Sequence, residues 1–386
     1  MVGDTQTKRE LDKVRQNRRV LIVMPNMSMG GAQRLCLTLV RMLPRYGIQV
    51  DLYLIEGAGE LLADARQATT VHVHFAAFQN ERGRVGIWGK LNQVIALSRV
   101  AKSYDVIVGG LELWPTFLTF FSALLSKQPV VGWVHIALEP YLAAHGSWTT
   151  RLLARCVYPR IRRIICVSDG AGMSLKAVTR ANPENISVIY NCIDDAFYKT
   201  ERTGHVGIAL PTLLAVGRCV YQKGYDVLLE AYGELLRRGI PVRLWIVGEG
   251  VERPRLEKIA AGLGDKGNIK FFGATTPVPE LLAQADVFVS SSRFEGFGLA
   301  IAEAMAARVL VVATDCESGP SEILGKGQFG VLVKPNDPSM LADALVSVIR
   351  NLDSAQSTYL HKARERSEAF REEVFCRDWA RILWDV

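Results

Sequence analysis

The 386-residue chain has no run of about eighteen apolar residues, the length a membrane-spanning helix requires. The longest candidate, WPTFLTFFSALL at 114–125, is too short and reads as a buried helix. The opening MVGDTQTKRELDKVRQNRR is charged and has no apolar core, so no secretory leader is expected there. Cys-x-x-Cys pairs are missing. The seven cysteines are odd in number and scattered, which argues against a disulfide framework or structural zinc and for a reducing compartment. Histidine is sparse. His72 and His74 share one strand face, but no third ligand is evident, so no metal is expected. No Gly-x-Gly-x-x-Gly follows the first strand, and only Asp51 or Glu56 could serve as the acid of a dinucleotide site, which disfavours a dehydrogenase.

Charge is present but uneven. The net charge is +7. Residues 1–190 carry 23 basic and 13 acidic side chains, whereas 191–386 carry 23 and 26. A basic first half suits an anionic lipid surface, nucleic acid or a phosphorylated substrate, and equally a merely solubilising surface. No nucleic-acid partner is expected.

Short β-rich apolar runs alternate with amphipathic helical patterns from end to end, the signature of parallel α/β architecture. Strands are predicted at 19–25, 49–56, 70–75, 105–110, 129–135, 163–168 and 186–191, with a helix from Ala32 that stops at Gly47. Residues 191–211 lose this periodicity and read as a linker. A second series follows at 212–218, 242–248, 268–273, 286–292, 309–314 and 329–335. The expected architecture is α/β: two facing Rossmann-like domains with ligands in the cleft beyond the carboxyl ends of their strands. The expected division is a basic arm at 1–18, a first Rossmann-like domain at 19–195, a second at 196–366 and a last helix at 367–386.

Several strand-to-helix loops carry chemistry. In MPNMSMGGAQR, Gly30 and Gly31 open a helix, where backbone amides can approach an anion; a tight turn would use them as well. In AVGRCVYQKGYD, Arg218 ends a strand and Lys223 precedes a helix, so two cations can clamp a diphosphate. VGEG places Gly248 and Glu249 in a loop that either a ligand or a turn explains. SSRFEGFGLAIAEAMA sets Glu295 and Glu303 around a glycine turn. The amides of Phe297, Gly298 and Leu299 belong to a helix start and can bind phosphate. Glu303, among Ile301, Ala302, Ala304 and Met305, can take a ribose diol, and Glu295 the hydroxyls of a sugar. An uncompensated acid there would be costly. His135 ends an apolar strand, structural or functional with equal warrant. Ser318 is expected to cap a short helix that has Pro320 in its first turn.

The residues GRCVYQKGYDVLLEAY, IVGEG, SSRFEGFGLAIAEAMA, SGPSEIL and GVLV resemble the C-terminal domain of family-4 retaining glycosyltransferases of GT-B fold. The Glu–seven residues–Glu pattern of Glu295 and Glu303 is that family's hallmark, and MGGAQR is similar to its N-terminal glycine loop. The match spans roughly residues 19–335, with the Asp315–Ser321 loop resembling transferases that build cell-surface polysaccharides. One departure is Arg308, where the family usually has glycine. The resemblance implies that Arg218 and Lys223 bind the donor diphosphate, Glu303 the ribose, Glu295 and His135 the sugar, and Gly30 and Gly31 the phosphates. It also implies that no metal or cofactor is needed and that the last helix crosses back onto the N-terminal domain.

The function expected is retaining transfer of a hexose or N-acetylhexosamine from a nucleotide diphosphate sugar to a glycan or lipid-linked hydroxyl. A UDP-sugar is the first expectation and a GDP-sugar the second. A sugar-nucleotide epimerase and a non-catalytic binding protein are the alternatives. The expected location is cytoplasmic, with peripheral contact to an anionic inner membrane face.

Overall fold

The computed structural model describes residues 17–74, 86–202, 210–265, 267–274 and 276–386. Most of the basic arm lies outside them. The chain divides into two compact units. The first holds the residues up to 167 together with 172–189 and 373–386; the second holds 168–171 and 190–372.

The first unit is built on a seven-stranded sheet: β1 (Arg18–Met24), β2 (Ile48–Leu54), β3 (Val71–Val73), β4 (Val106–Gly109), β5 (Val130–Val134), β6 (Arg163–Cys166) and β7 (Ile186–Val188). Every pairing is parallel, in the order β3-β2-β1-β4-β5-β6-β7. A sheet with helices on both faces buries both sides of its central strands, hence the unbroken run VLIVM in β1, fully buried. The helix Gly31–Met42 tightens into a 3-10 turn and ends at Gly47, whose φ of 73° allows its amide to reach the Leu43 and Pro44 carbonyls.

The second unit repeats the plan with six parallel strands: β8 (Thr212–Val216), β9 (Arg243–Val247), β10 (Ile269–Phe272), β11 (Val287–Ser290), β12 (Leu310–Thr314) and β13 (Val331–Val333). Their order is β10-β9-β8-β11-β12-β13. In both sheets the order reverses beside the first strand, between β1 and β4 and between β8 and β11. At such a switch point neighbouring loops leave in opposite directions and open a crevice at the strands' carboxyl ends. All thirteen predicted strands are present, and two Rossmann-like units of GT-B type result.

The last helix, Glu372–Asp385, joins the core of the first unit from Glu373 onward. Trp379 is fully buried, its ring 4.8 Å from that of Trp133. Trp384 Nε1 donates to the Tyr46 carbonyl at 3.2 Å, and Arg18 donates to the Trp384 carbonyl at 2.9 Å. Arg308 also finds its explanation. It follows the helix Leu299–Ala306 with φ of 58°, the left-handed C-terminal position that glycine usually fills. Its side chain is exposed, so arginine there costs backbone strain and displaces nothing from the core.

Candidate functional site

The second unit assembles its site from the two loops that flank its switch point. After β8 the chain runs through Gly217 and Arg218 to a 3-10 turn, Tyr221–Lys223, and then the helix Tyr225–Arg237. After β11 it runs from Ser291 to Gly298 and into the helix Leu299–Ala306. The loops are zipped together. The Arg293 amide donates to Gln222 O at 2.8 Å, Gln222 Nε2 to Phe294 O at 3.0 Å, and Ser291 Oγ to Lys223 O at 2.9 Å. A β-carbon on Gly224 would stand 2.2 Å from Ser291 O, so only glycine permits this approach.

Across the zipped loops, Lys223 Nζ lies 2.5 Å from Glu295 Oε1. Ser292 Oγ donates to the same oxygen at 2.6 Å. The side chains are 19% and 8% exposed, so this pair is shielded from water on most sides. A recess of about 10 Å³ beside it, lined by Ser291, Gly298 and Ala300, has room for one water and not for a sugar. Arg293 is a lock rather than a ligand. Its guanidinium forks onto both Asp226 oxygens at 2.9 and 3.0 Å and stacks over the Tyr221 ring. Burial is the largest single influence and would raise the Asp226 carboxyl, but the Arg293 hydrogen bonds and charge, together with the Val227 and Asp226 amides, hold the acid below its usual value.

The helix at Leu299 starts from Gly298, in the left-handed region at φ 99°. The first intrahelical bond is made by the Ile301 amide to the Gly298 carbonyl at 2.9 Å, so the amides ahead of it lie at the positive end of the helix dipole without acceptors in the helix. Phe297 anchors the turn from below, buried against Tyr190 and Phe370 with ring centroids 5.7 and 5.4 Å away. The hydroxyls of Ser318 and of Ser168, which counts with this unit, both donate to the Gly296 carbonyl, at 2.9 and 2.6 Å. Ser318 is therefore not the cap expected from sequence. Gly319 occupies that position without a side-chain bond, and the serine pins the glycine turn instead. Glu303 is buried in the second turn of its helix.

Arg218 is exposed, and among the described residues its side chain makes no hydrogen bond or ion pair. Gly248 owes its glycine to packing: a β-carbon there would sit 2.1 Å from the Gly217 carbonyl. Glu249 is exposed and paired with Arg253 on the surface of the following helix.

In the first unit, Gly30 is the extended N-cap residue of the Gly31–Met42 helix. A β-carbon on Gly31 would meet nothing within 4 Å, so packing within the protein does not explain that glycine. His135 follows β5. Its Nε2 lies 3.2 Å from the Gly110 carbonyl and its ring 4.3 Å from that of Trp133. Burial pushes the imidazole down to about 3, against the Gly110 bond, so His135 is neutral at physiological pH. Its backbone amide donates to Glu112 Oε2 at 3.1 Å, and burial raises the Glu112 carboxyl. Glu112 was not singled out from sequence, although GGLELWP follows β4 directly at the same sheet edge. His72 bonds the Tyr104 hydroxyl at 2.9 Å, and His74 stacks near Tyr53. Asp51, inside β2, accepts from Thr69 and Tyr104 and is buried, so it is no ribose acid. Among the described residues no group of three or more His, Cys, Asp or Glu could hold a metal.

Two outcomes follow from this geometry. Lys223→Ala strands a shielded carboxylate and is expected to destabilise by roughly 1–3 kcal/mol, whereas adding Glu295→Gln restores part of the loss. Additive losses in chemical denaturation would show that the pair is not coupled. His135 binds no proton in the folded state until well below its unfolded value of 6.5. Its contribution is thus complete above that pH and is lost as pH falls from 6.5 towards about 3. Relative to His135→Gln, the protein should lose stability between pH 6.5 and 5, at up to about 1.4 kcal/mol per pH unit. A pH-independent difference would mean that the ring titrates normally.

Residues 29–197 match the family described as Glycosyltransferase Family 4, and residues 210–351 match Glycosyl transferases group 1, together roughly four fifths of the chain. A Campylobacter jejuni N-acetylgalactosamine-N,N'-diacetylbacillosaminyl-diphospho-undecaprenol 4-alpha-N-acetylgalactosaminyltransferase is 27% identical over 62% of this chain and 64% of its own length. The lipopolysaccharide core biosynthesis glycosyltransferase LpsE of Rhizobium meliloti is 36% identical over 36% of this chain and 39% of its own. The matched stretches thus span under two thirds of these relatives. The crystal structure of Anabaena Alr3699/HepE in complex with UDP and glucose superposes with a TM-score of 0.81 at 22% identity, covering 96% of this chain and 100% of that one. The chain belongs to the family 4 glycosyltransferases.

Proposed function

We propose that the protein transfers a hexose or N-acetylhexosamine, with retention, from a nucleotide diphosphate sugar to a hydroxyl of a glycan or lipid-linked acceptor. The observation that carries this is the Lys223–Glu295 pair beside the Gly298 helix start, at the switch point of the second sheet. An ammonium has three donors, and Lys223 spends one on Glu295, leaving others for a phosphate oxygen. Glu295 Oε1 takes the Lys223 and Ser292 bonds, so Oε2 is left to orient a sugar hydroxyl. When the glycosidic bond breaks, charge grows on the departing diphosphate. Lys223, Arg218 and the amides of Phe297, Gly298 and Leu299 would stabilise it without a metal.

Glu303 is assigned the ribose diol by its place in the family's acid pair. Gly248 and Glu249 keep a donor-side assignment on the resemblance alone, as do His135 and Gly30 in the first unit. For His135, neutrality favours hydrogen bonding to a sugar over charge stabilisation. Gly31 adds its own support, because the space over it is open.

A UDP-sugar donor is favoured because the Anabaena protein was crystallised with UDP and with UDP-glucose. A lipid-linked acceptor draws on the name of the Campylobacter relative. Among the described residues no helix is long and apolar enough to cross a membrane, so contact with an anionic inner leaflet would be peripheral.

The test is a panel of UDP-, GDP- and ADP-sugars scored by thermal stabilisation. A donor at a hundredfold over its Kd should add about 2.7 kcal/mol to stability. Glu303→Ala should weaken the preferred donor by roughly 10- to 100-fold, the loss of hydrogen bonds to a charged group. Undiminished affinity would remove Glu303 from the ribose. NMR of the donor incubated alone should show no inverted sugar, which an epimerase would produce.

A further inference from the structure

One apolar surface of the first unit is left unexplained by donor binding. The helix Ile87–Ala101 buries Gln93, Leu97, Ser98 and Ala101 against the sheet. Its opposite side exposes Ile87 (72%), Trp88 (76%), Leu91 (47%) and Ile95 (43%). Positions 87, 91 and 95, with 88 beside them, form one stripe along the helix. The neighbouring helix Trp114–Ser126 exposes Leu124 and Leu125. Ser122 of that helix donates to the Val94 carbonyl at 3.1 Å. Leu125, one turn beyond Ser122 on the side that meets the first helix, therefore extends the stripe.

Charge decides what covers it. Neither helix contains an acidic residue, and the first carries Lys90 and Arg99 in exposed positions. Leu124 also lines a groove of about 930 Å³ at the amino-terminal edge of β5, β6 and β7. Lys127, Arg160, Arg162 and Arg163 stand in its walls against Glu184 and Asp385. A second copy of the chain packed on this stripe by a two-fold would set its cations against their own equivalents. An interface of bulky aliphatics, one tryptophan and flanking lysine and arginine instead has the composition of a surface that enters the boundary of an anionic bilayer.

We infer that the Ile87–Ile95 stripe, with Leu124 and Leu125, is the element that inserts into an anionic membrane surface, while the groove of Lys127, Arg160 and Arg162 receives lipid phosphates. This rests on the peripheral membrane reading above and names the surface responsible. The groove, at the amino-terminal edge of β5, β6 and β7, lies away from the loops that follow β4 and β5, whereas the stripe begins nearer the loop after β4, where Lys90 covers the Trp114 ring and Gln93 accepts from its indole.

The experiment is cosedimentation with vesicles of phosphatidylcholine, with or without phosphatidylglycerol, for the protein, for Leu91→Glu/Ile95→Glu and for Lys127→Glu/Arg162→Glu. All four positions lie outside the donor machinery. Their melting temperatures and UDP-sugar stabilisation should match the parent and so report intact folding. The parent is expected to bind only the vesicles containing phosphatidylglycerol. The apolar double variant should lose about tenfold or more of that binding. The basic double variant should bind more weakly and with less dependence on salt. A parent that ignores phosphatidylglycerol overturns both the membrane reading and this surface. A parent that binds as strongly as both variants overturns the surface alone. Concentration-dependent dimers abolished by Leu91→Glu/Ile95→Glu, without vesicle binding, would assign the stripe to a second copy instead.

Discussion

The ion pair of Lys223 and Glu295 is the constraint on which the second unit's site depends. Each member arrives on a different loop, one after β8 and one after β11. A shielded carboxylate without a cation is costly, so the pair ties the two loops to one geometry. Arg293 on Asp226 and the Ser291 bond to the Lys223 carbonyl repeat the tie along the same seam. The result is a preorganised edge. A cation with spare donors, a carboxylate with a spare oxygen and a helix start with unpaired amides are fixed before any ligand arrives. Preorganisation of this kind is what stabilises charge that develops during a reaction.

Sheet topology explains why the tie sits where it does. The strand order reverses between β8 and β11, and the loops leaving those two strands are the ones that carry Lys223 and Glu295. The first unit follows the same logic with different chemistry. There the loops after β4 and β5 bring Glu112 and His135 together, a carboxylate holding the backbone of a neutral imidazole. Each unit, taken by itself, presents loops at the carboxyl ends of its strands, charged in the second and built on a neutral ring and glycines in the first.

Much of this was legible in the residues. The strands announce themselves because parallel strands buried on both faces need unbroken Val, Ile and Leu, as in RVLIVM. That Glu295 and Glu303 are both buried fits the reading that glutamates around a glycine turn are poor choices for a plain surface helix. What was hidden depends on contacts distant in sequence. Ser318 looked like a cap because Pro320 follows it, yet its hydroxyl is drawn to the Gly296 carbonyl across the site. Gly248 looked ambiguous, and the backbone of Gly217 is what demands it. Arg293, two residues from Glu295, gave no sign that Asp226 would hold it. Glu112 was overlooked because one acid in an apolar stretch has no pattern; only the fold brings it to His135. The exposed face of Ile87–Ala101 was equally silent, since a helix that is apolar on both sides reads as core.

The most direct measurement is amide hydrogen exchange across the chain with and without a saturating UDP-sugar, or whichever nucleotide sugar the panel selects. The account predicts that protection rises at residues 217–224 and 296–303 of the second unit, with the amides of Phe297, Gly298 and Leu299 among the most affected. Stabilisation by the donor without added protection at those amides, or protection confined to other loops, would contradict a diphosphate held between Lys223 and the Gly298 helix start.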